Sequence, residues 1–303
     1  MLRKKNKQIL IVGGTGFLGY HAAKFFIKKN YKVISISRNR PKKIRKLNKV
    51  KYLYADISQK KKLFDKLKPY SKTGIIINFG GEVDHSKSIK TYNTHYKGTK
   101  NLVEFFDKKK LKIFVQIGSS MEYGRLFSPQ KETFICKPNS TYAKAKFKAT
   151  KFLRNKKNFP SIVLRLYQVY GPKQDTNRLV PITIGNCLKN KSFPCSDGNQ
   201  FRDFLYIDDF VNALYTSTKY LKAKGEIFNV GYGKPYRVKN VINFIKNDIK
   251  KGKPEFGKLK LRNEENKATY PSINKIKKIL KWRAKISLNN GLKKTIRSYK
   301  KLR

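Results

Sequence analysis

Short apolar runs recur through the first half of the chain, and between them apolar residues return every three or four positions. The runs QILIVG at 8–13 and YKVISIS at 31–37, with others near 51–55 and at 75–79, 113–117 and 161–166, read as strands. The stretches at 17–29, near 59–67 and near 89–107 read as helices, and another helix opens around residue 142. Unbroken apolar runs belong to strands covered on both faces, so the alternation predicts an α/β fold around a parallel sheet. Beyond Tyr167 the alternation loosens into helices, short strands and Gly/Pro turns, which predicts a smaller lobe over the carboxyl edge of the sheet.

Composition supports a large core: 303 residues, 39% hydrophobic and 13% aromatic. No apolar run approaches the ~20 residues that span a bilayer, and MLRKKNKQILIVGG is too short in apolar residues for a signal peptide, so a cytoplasmic protein is expected. Cys136, Cys187 and Cys195 are odd in number and lack a CxxC spacing, which points to idle thiols rather than a disulfide framework or a zinc site. The net charge of +54 invites polyanionic partners. Its lysines are scattered in ones, twos and threes with no basic tail, so the expected picture is a solvated basic surface. Peripheral attraction to an anionic membrane or to nucleic acid is kept as a secondary property.

Between the first strand and the first helix lies GGTGFLG at 13–19. Gly13 permits a tight turn, Gly16 lets backbone approach a pyrophosphate, and Gly19 lets the helix pack on the strand. Gly13, Thr15, Gly16, Phe17, Leu18 and Gly19 are therefore expected to hold a dinucleotide. An NAD-binding fold usually ends its second strand on Asp or Glu; this chain has Ser37-Arg38-Asn39-Arg40. Without that carboxylate, and with Arg38 available to clamp a 2′-phosphate, NADP(H) is favoured over NAD(H).

NSTYAKAK at 139–146 places Tyr142 four residues before Lys146, about one helical turn, so both share a face and the ammonium favours the ionised phenol. Spacing alone selects nothing, because Tyr20, Tyr96, Tyr215 and Tyr220 also have a lysine at i+4. The setting does select. Alongside the glycine loop stand Asp56-Ile57, GSSMEYG at 118–124, Tyr142/Lys146, LRLYQVYGP at 164–172, GNQFRDFLYIDD at 198–209, NVG at 229–231, and ILKW at 279–282 before Gly291-Leu292. These blocks, in this order, resemble the extended short-chain dehydrogenase/reductase family, in particular its NAD(P)-dependent nucleotide-sugar epimerases, dehydratases and reductases.

The resemblance implies a Rossmann-type, doubly wound parallel sheet. A cofactor-binding domain would span 1–166, and an interleaved lobe at 167–303 would bind a nucleotide-diphosphate sugar in a homodimer. It implies Ser119, Tyr142 and Lys146 as catalytic residues, with Ser119 holding the reacting sugar oxygen. Ser37, Arg38, Asp56, Ile57, Tyr142 and Lys146 would face the cofactor. Ser119, Ser120, Arg178 and Arg202 would face the substrate, Arg202 gripping the pyrophosphate. Asp175 is a weaker candidate beside Arg178, while Asp203, Asp208 and Asp209 read as pins of turns and a helix start. The chain departs from the family in Ala145, where Ser often precedes the lysine, and in His95, where an Asn is usual before Gly98-Thr99. His85 reads as a loop histidine near the expected mouth of the site.

Three reactions share Ser-Tyr-Lys chemistry. Family dehydratases carry Asp-Glu or Ser-Glu directly after the catalytic Thr; here Ser120 and Met121 stand there and Glu122 comes one position late, which disfavours dehydration. A 4-keto-6-deoxy sugar reductase of surface-polysaccharide biosynthesis suits an exchangeable NADPH, and 187–209 resembles bacterial deoxysugar reductases of the CDP-abequose synthase type. A UDP-glucose 4-epimerase-like enzyme is the alternative. A non-catalytic, nucleic-acid-binding member of the fold suits the charge, but has no need of Ser119, Tyr142, Lys146 and the glycine loop together.

Overall fold

Gln8–Val12 forms β1, four of its five residues buried, and Phe17–Lys28 forms α1, which turns Phe17, Tyr20, Ala22, Ala23 and Phe26 inward at helical spacing. The computed structural model describes residues 7–81, 88–107, 109–260 and 265–301; His85 lies outside them. The alternation continues with β2 (Lys32–Ser37), β3 (Val50–Tyr54), α2 (Lys60–Leu67) and β4 (Ile75–Asn78). Next come α3 (Ser88–Tyr92), α4 (Gly98–Phe106), β5 (Ile113–Ser119), α5 (Thr141–Asn155) and β6 (Ser161–Leu166). The expected single helix near 89–107 is divided. Asn93–Lys97, between α3 and α4, winds as a π-helix, a wider turn that often marks a functional site.

Further along lie β7 (Gln168–Tyr170), α6 (Leu179–Leu188), β8 (Ser192–Pro194), β9 (Phe201–Tyr206), α7 (Ile207–Lys219) and β10 (Ile227–Val230). β11 (Pro235–Arg237), α8 (Val238–Ile249), β12 (Lys253–Glu255), β13 (Ala268–Thr269), α9 (Asn274–Leu280) and α10 (Leu288–Lys300) complete the chain.

The structure divides into two compact units: one of 1–124, 135–165 and 211–228, the other of 125–134, 166–210 and 229–303. The main sheet runs β10-β6-β5-β4-β1-β2-β3. β1 pairs in parallel with both β2 and β4, so the chain winds outward on one side to β3 and on the other to β6. This is the doubly wound, Rossmann-like parallel sheet. β1 and β4 are the topological switch point, where such sheets bind ligands beyond their carboxyl ends. Burial explains why the strands read as unbroken apolar runs: β5 and β6 are buried at every residue because helices cover both faces.

In the second unit β7, β11 and β13 gather around β9, and β8 pairs with β12. Asp203 of β9 accepts from the backbone N–H groups of Tyr232 (2.7 Å) and Gly233 (2.6 Å), pinning that turn. Asp209, in the first turn of α7, accepts from Lys285 and Ile286. Among the described residues no helix is long and apolar enough to cross a membrane.

Candidate cofactor and active site

The loop after β1 is built for close approach. Gly13 adopts φ +78°, and a Cβ on Gly19 would lie 2.3 Å from the Gly13 carbonyl oxygen and 2.6 Å from the Gly14 Cα. Gly16 is the N-cap of α1 and has no side chain to satisfy the first N–H groups; no acid stands in the first turn. An uncapped helix start carries a partial positive charge and free donors, which suits a phosphate. Thr15, Phe17 and Leu18 lie in this same loop and first turn. The residues present therefore fit the pyrophosphate of a dinucleotide.

At the carboxyl end of β2, Ser37 is buried and its Oγ accepts from the Thr15 N–H (3.4 Å), tying strand end to loop. Arg38 is half-buried, and Asn39 and Arg40 are exposed, so no carboxylate ends this strand. Asp56 is occupied locally: its Oδ1 accepts from the Ser58 N–H (2.8 Å) and hydroxyl (2.7 Å). Ile57 packs so closely under the backbone that a Cβ on Gly80 or Gly98 would meet it at 2.7 or 2.5 Å.

Ser119 ends β5 in extended conformation and caps a 3-10 turn at Ser120–Tyr123. Its Oγ accepts from the Met121 N–H (3.2 Å), leaving the hydroxyl proton to donate. Its own N–H donates to Glu122 Oε1 (2.9 Å), which completes a capping box. Glu122 is fully buried, and its Oε2 accepts from Arg165 Nε of β6 (3.0 Å). Arg165 also lies 4.6 Å over the Tyr123 ring. Burial works against the Arg165 cation, but Glu122, Tyr123 and Cys136 outweigh it and hold the guanidinium above its usual value. Removing one partner of such a pair strands a buried charge, at about 3–5 kcal/mol.

Tyr142 and Lys146 sit on α5, whose N-cap Ser140 accepts from the Ala143 N–H. Tyr142 is in the first turn, where the helix dipole favours an anion. Its ring meets His95 of the π-helical segment edge to face, with centroids 5.0 Å apart. His95 in turn fills the space beside Gly81, where a Cβ would lie 1.8 Å from its ring. Lys146 is buried, lies 6.0 Å from the Tyr142 ring centroid, and donates from Nζ to the Ile117 carbonyl of β5 (2.7 Å). Burial pushes its pKa down to about 8 and the Glu122 carboxylate opposes the fall, so Lys146 is still a cation at pH 7.

The first unit thus gathers Ser119, Tyr142 and Lys146 at β5 and α5. Arg178 and Arg202 belong to the second unit. Arg178 is exposed at the N-cap of α6, and Arg202 is buried, donating to the Phe201 carbonyl (2.7 Å) and to Glu265 (2.6 Å). Sequence reasoning missed Glu122 as a partner of Ser119, although Ser119-Ser-Met-Glu122 carries the S-x-x-E capping signature; it weighed Glu122 only as a misplaced dehydratase acid. Arg165 carried no local signal.

A UDP-glucuronate 4-epimerase from Thermodesulfobacterium geofontis is 27% identical over 309 residues, covering 95% of this chain and 94% of that protein. CDP-abequose synthase from Salmonella muenchen is 26% identical over 309 residues, covering 96% and 97%. The crystal structure of UDP-glucuronic acid 4-epimerase from Bacillus cereus, in complex with UDP-glucuronic acid and NAD, matches with a TM-score of 0.88 at 25% identity, over 98% of this chain and 100% of that one. Residues 9–231, from the strand that feeds the glycine loop to the strand that closes the sheet beside β6, match the NAD dependent epimerase/dehydratase family, and this enzyme belongs to it.

Proposed function

We propose that the enzyme reduces a 4-keto-6-deoxy nucleotide sugar at C4 at the expense of NADPH. The observation that carries this reading is the end of β2, where Ser37 is tied to the phosphate loop and Arg38 follows with no carboxylate to repel a 2′-phosphate. A cofactor that arrives reduced and leaves oxidised on every turnover suits a reductase, and CDP-abequose synthase, at 26% identity, is nearly as similar to this chain as the UDP-glucuronate 4-epimerase at 27%.

When bound, the nicotinamide cofactor supplies the hydride to C4. Tyr142 delivers its phenolic proton to the C4 oxygen, and the Ser119 hydroxyl donates to the same oxygen. Lys146, cationic on the next turn of α5, favours the phenolate left behind, and the N-terminal end of the helix acts in the same sense. Arg202 grips the pyrophosphate, for which its Glu265 contact must yield. Ser120 and Met121, where dehydratases carry acid and base, give no group for removing water from the sugar.

In the assay, protein and NADPH are mixed with CDP-, dTDP- and GDP-linked 4-keto-6-deoxy sugars and nicotinamide absorbance is followed. UDP-glucose and UDP-glucuronic acid are incubated separately without added cofactor. Stoichiometric NADPH oxidation is expected. Interconversion of the 4-hydroxy sugars with no net cofactor change would replace the reductase by a 4-epimerase, the second reading, which the similarity to the UDP-glucuronate enzymes favours.

The cofactor choice has its own test. Charge-assisted bonds from Arg38 should make NADPH bind about tenfold or more tighter than NADH, since each contributes about 1.5–3 kcal/mol. Ser37→Asp with Arg38→Ala should invert the order, and fluorescence titration reads both. Tighter NADH binding by the unaltered protein would sink the idea.

A further inference from the structure

We infer that Glu122, braced by Arg165, is a positioning residue that holds Ser119 in place to donate its hydroxyl to the reacting oxygen. The inference rests on the proposed role of Ser119 at that oxygen.

A four-residue 3-10 turn does not need a charged partner. Ser119 already caps it through Oγ, and a neutral acceptor would satisfy the Ser119 N–H. Glu122 is nevertheless fully buried, and burying a carboxylate is costly unless it is paired. Both of its oxygens are committed: Oε1 to the Ser119 N–H and Oε2 to Arg165 Nε. The carboxylate therefore bridges the last residue of β5 to β6, its neighbour in the sheet. Backbone and side chain of Ser119 are both restrained, the first by Glu122 and the second by the Met121 N–H.

Gly118 makes room for the bridge. A Cβ there would lie 2.6 Å from Glu122 Oε1 and 3.2 Å from Arg165 Cγ. The same strand end also anchors Lys146, through the Ile117 carbonyl two residues before Ser119. Bridge and anchor together keep Ser119 and Lys146 in one fixed relation, which proton and hydrogen-bond donation demand within a fraction of an ångström. The groups charged around this point are Glu122, Arg165 and Lys146, with the Cys136 thiol beside Arg165. Glu122 is thus a negative charge that acts on both buried cations.

Removing one charge alone would test folding instead of positioning, so both are removed together. Glu122→Leu with Arg165→Leu takes away the acceptor, while Glu122→Gln with Arg165→Leu keeps a neutral acceptor for the Ser119 N–H. On the nicotinamide-loaded protein, the Leu/Leu variant should lose about tenfold or more in kcat with KM and cofactor affinity little changed. The Gln/Leu variant should recover most of that loss. Amide exchange at Ser119, read by NMR, should accelerate about tenfold or more in Leu/Leu, with Ile113 to Ile117 still protected. Parent-like kcat and Ser119 exchange in Leu/Leu would overturn the inference.

Should the unaltered enzyme turn over none of the sugars above, the proposed reaction fails, and Ser119 exchange still decides the bridge. Should neither variant fold, the unaltered protein decides it: a Ser119 amide that exchanges as fast as that of an exposed loop residue would overturn the inference by itself.

Discussion

Replacing Tyr142 by phenylalanine should lower kcat by at least about 100-fold while nicotinamide affinity stays within a few-fold, the signature of a lost proton donor. The ring remains, so the edge-to-face contact with His95 and the start of α5 are kept. Tyr96→Phe and Tyr215→Phe are the matched controls. They are demanding ones, because Lys219 Nζ lies 5.2 Å from the Tyr215 ring centroid, nearer than Lys146 is to Tyr142. Distance does not distinguish the pairs; surroundings do. Lys219 is exposed and bonded to the Tyr31 hydroxyl, whereas Lys146 is buried and fixed to the strand that ends in Ser119. Equal losses in the controls would mean that the wrong tyrosine has been chosen.

Gly19→Ala should weaken nicotinamide binding by about one to two orders of magnitude. A Cβ at 2.3 Å from the Gly13 carbonyl oxygen meets backbone, which cannot rotate away as a side chain can. Either α1 backs off from β1 or the phosphate loop opens. Overpacking of this kind costs about 1–3 kcal/mol, and here the strain falls on the loop proposed to hold the pyrophosphate. Gly185→Ala in α6 is the control: nothing lies within 4 Å of its added Cβ, so cofactor affinity should not change. Thermal unfolding of both variants, with and without NADPH, separates lost binding from lost stability. Parent-like affinity in Gly19→Ala would dismiss the close-approach account of the loop.

Sequence alone determined what depends on neighbours along the chain. Strands β1, β2, β4, β5 and β6 were legible because a strand covered on both faces must be largely apolar, while the edge strand β3, mostly half-buried or exposed, was legible only by its place in the alternation. The glycine loop after β1 was legible as a tight turn because φ +78° and a helix packed onto the Gly13 carbonyl both favour glycine. The S-x-x-E signature at 119–122 was equally local, though its meaning was not. β10 escaped notice because four residues, Ile227–Val230, carry too little periodicity outside an alternating context. The π-helical turn at Asn93–Lys97 escaped because its periodicity differs little from that of the α-helix on either side. Tertiary structure decided the rest. Arg165 reaches Glu122 across 43 positions only because β6 lies beside β5, and Tyr142 meets His95 only because α5 packs on the helix before β5. Five tyrosine-lysine pairs look alike in sequence because helical spacing fixes which side chains share a face. Whether that face meets water or a buried carbonyl depends on which distant segment packs against it, and that is what lowers one lysine's pKa to about 8, at the end of the strand that Ser119 closes.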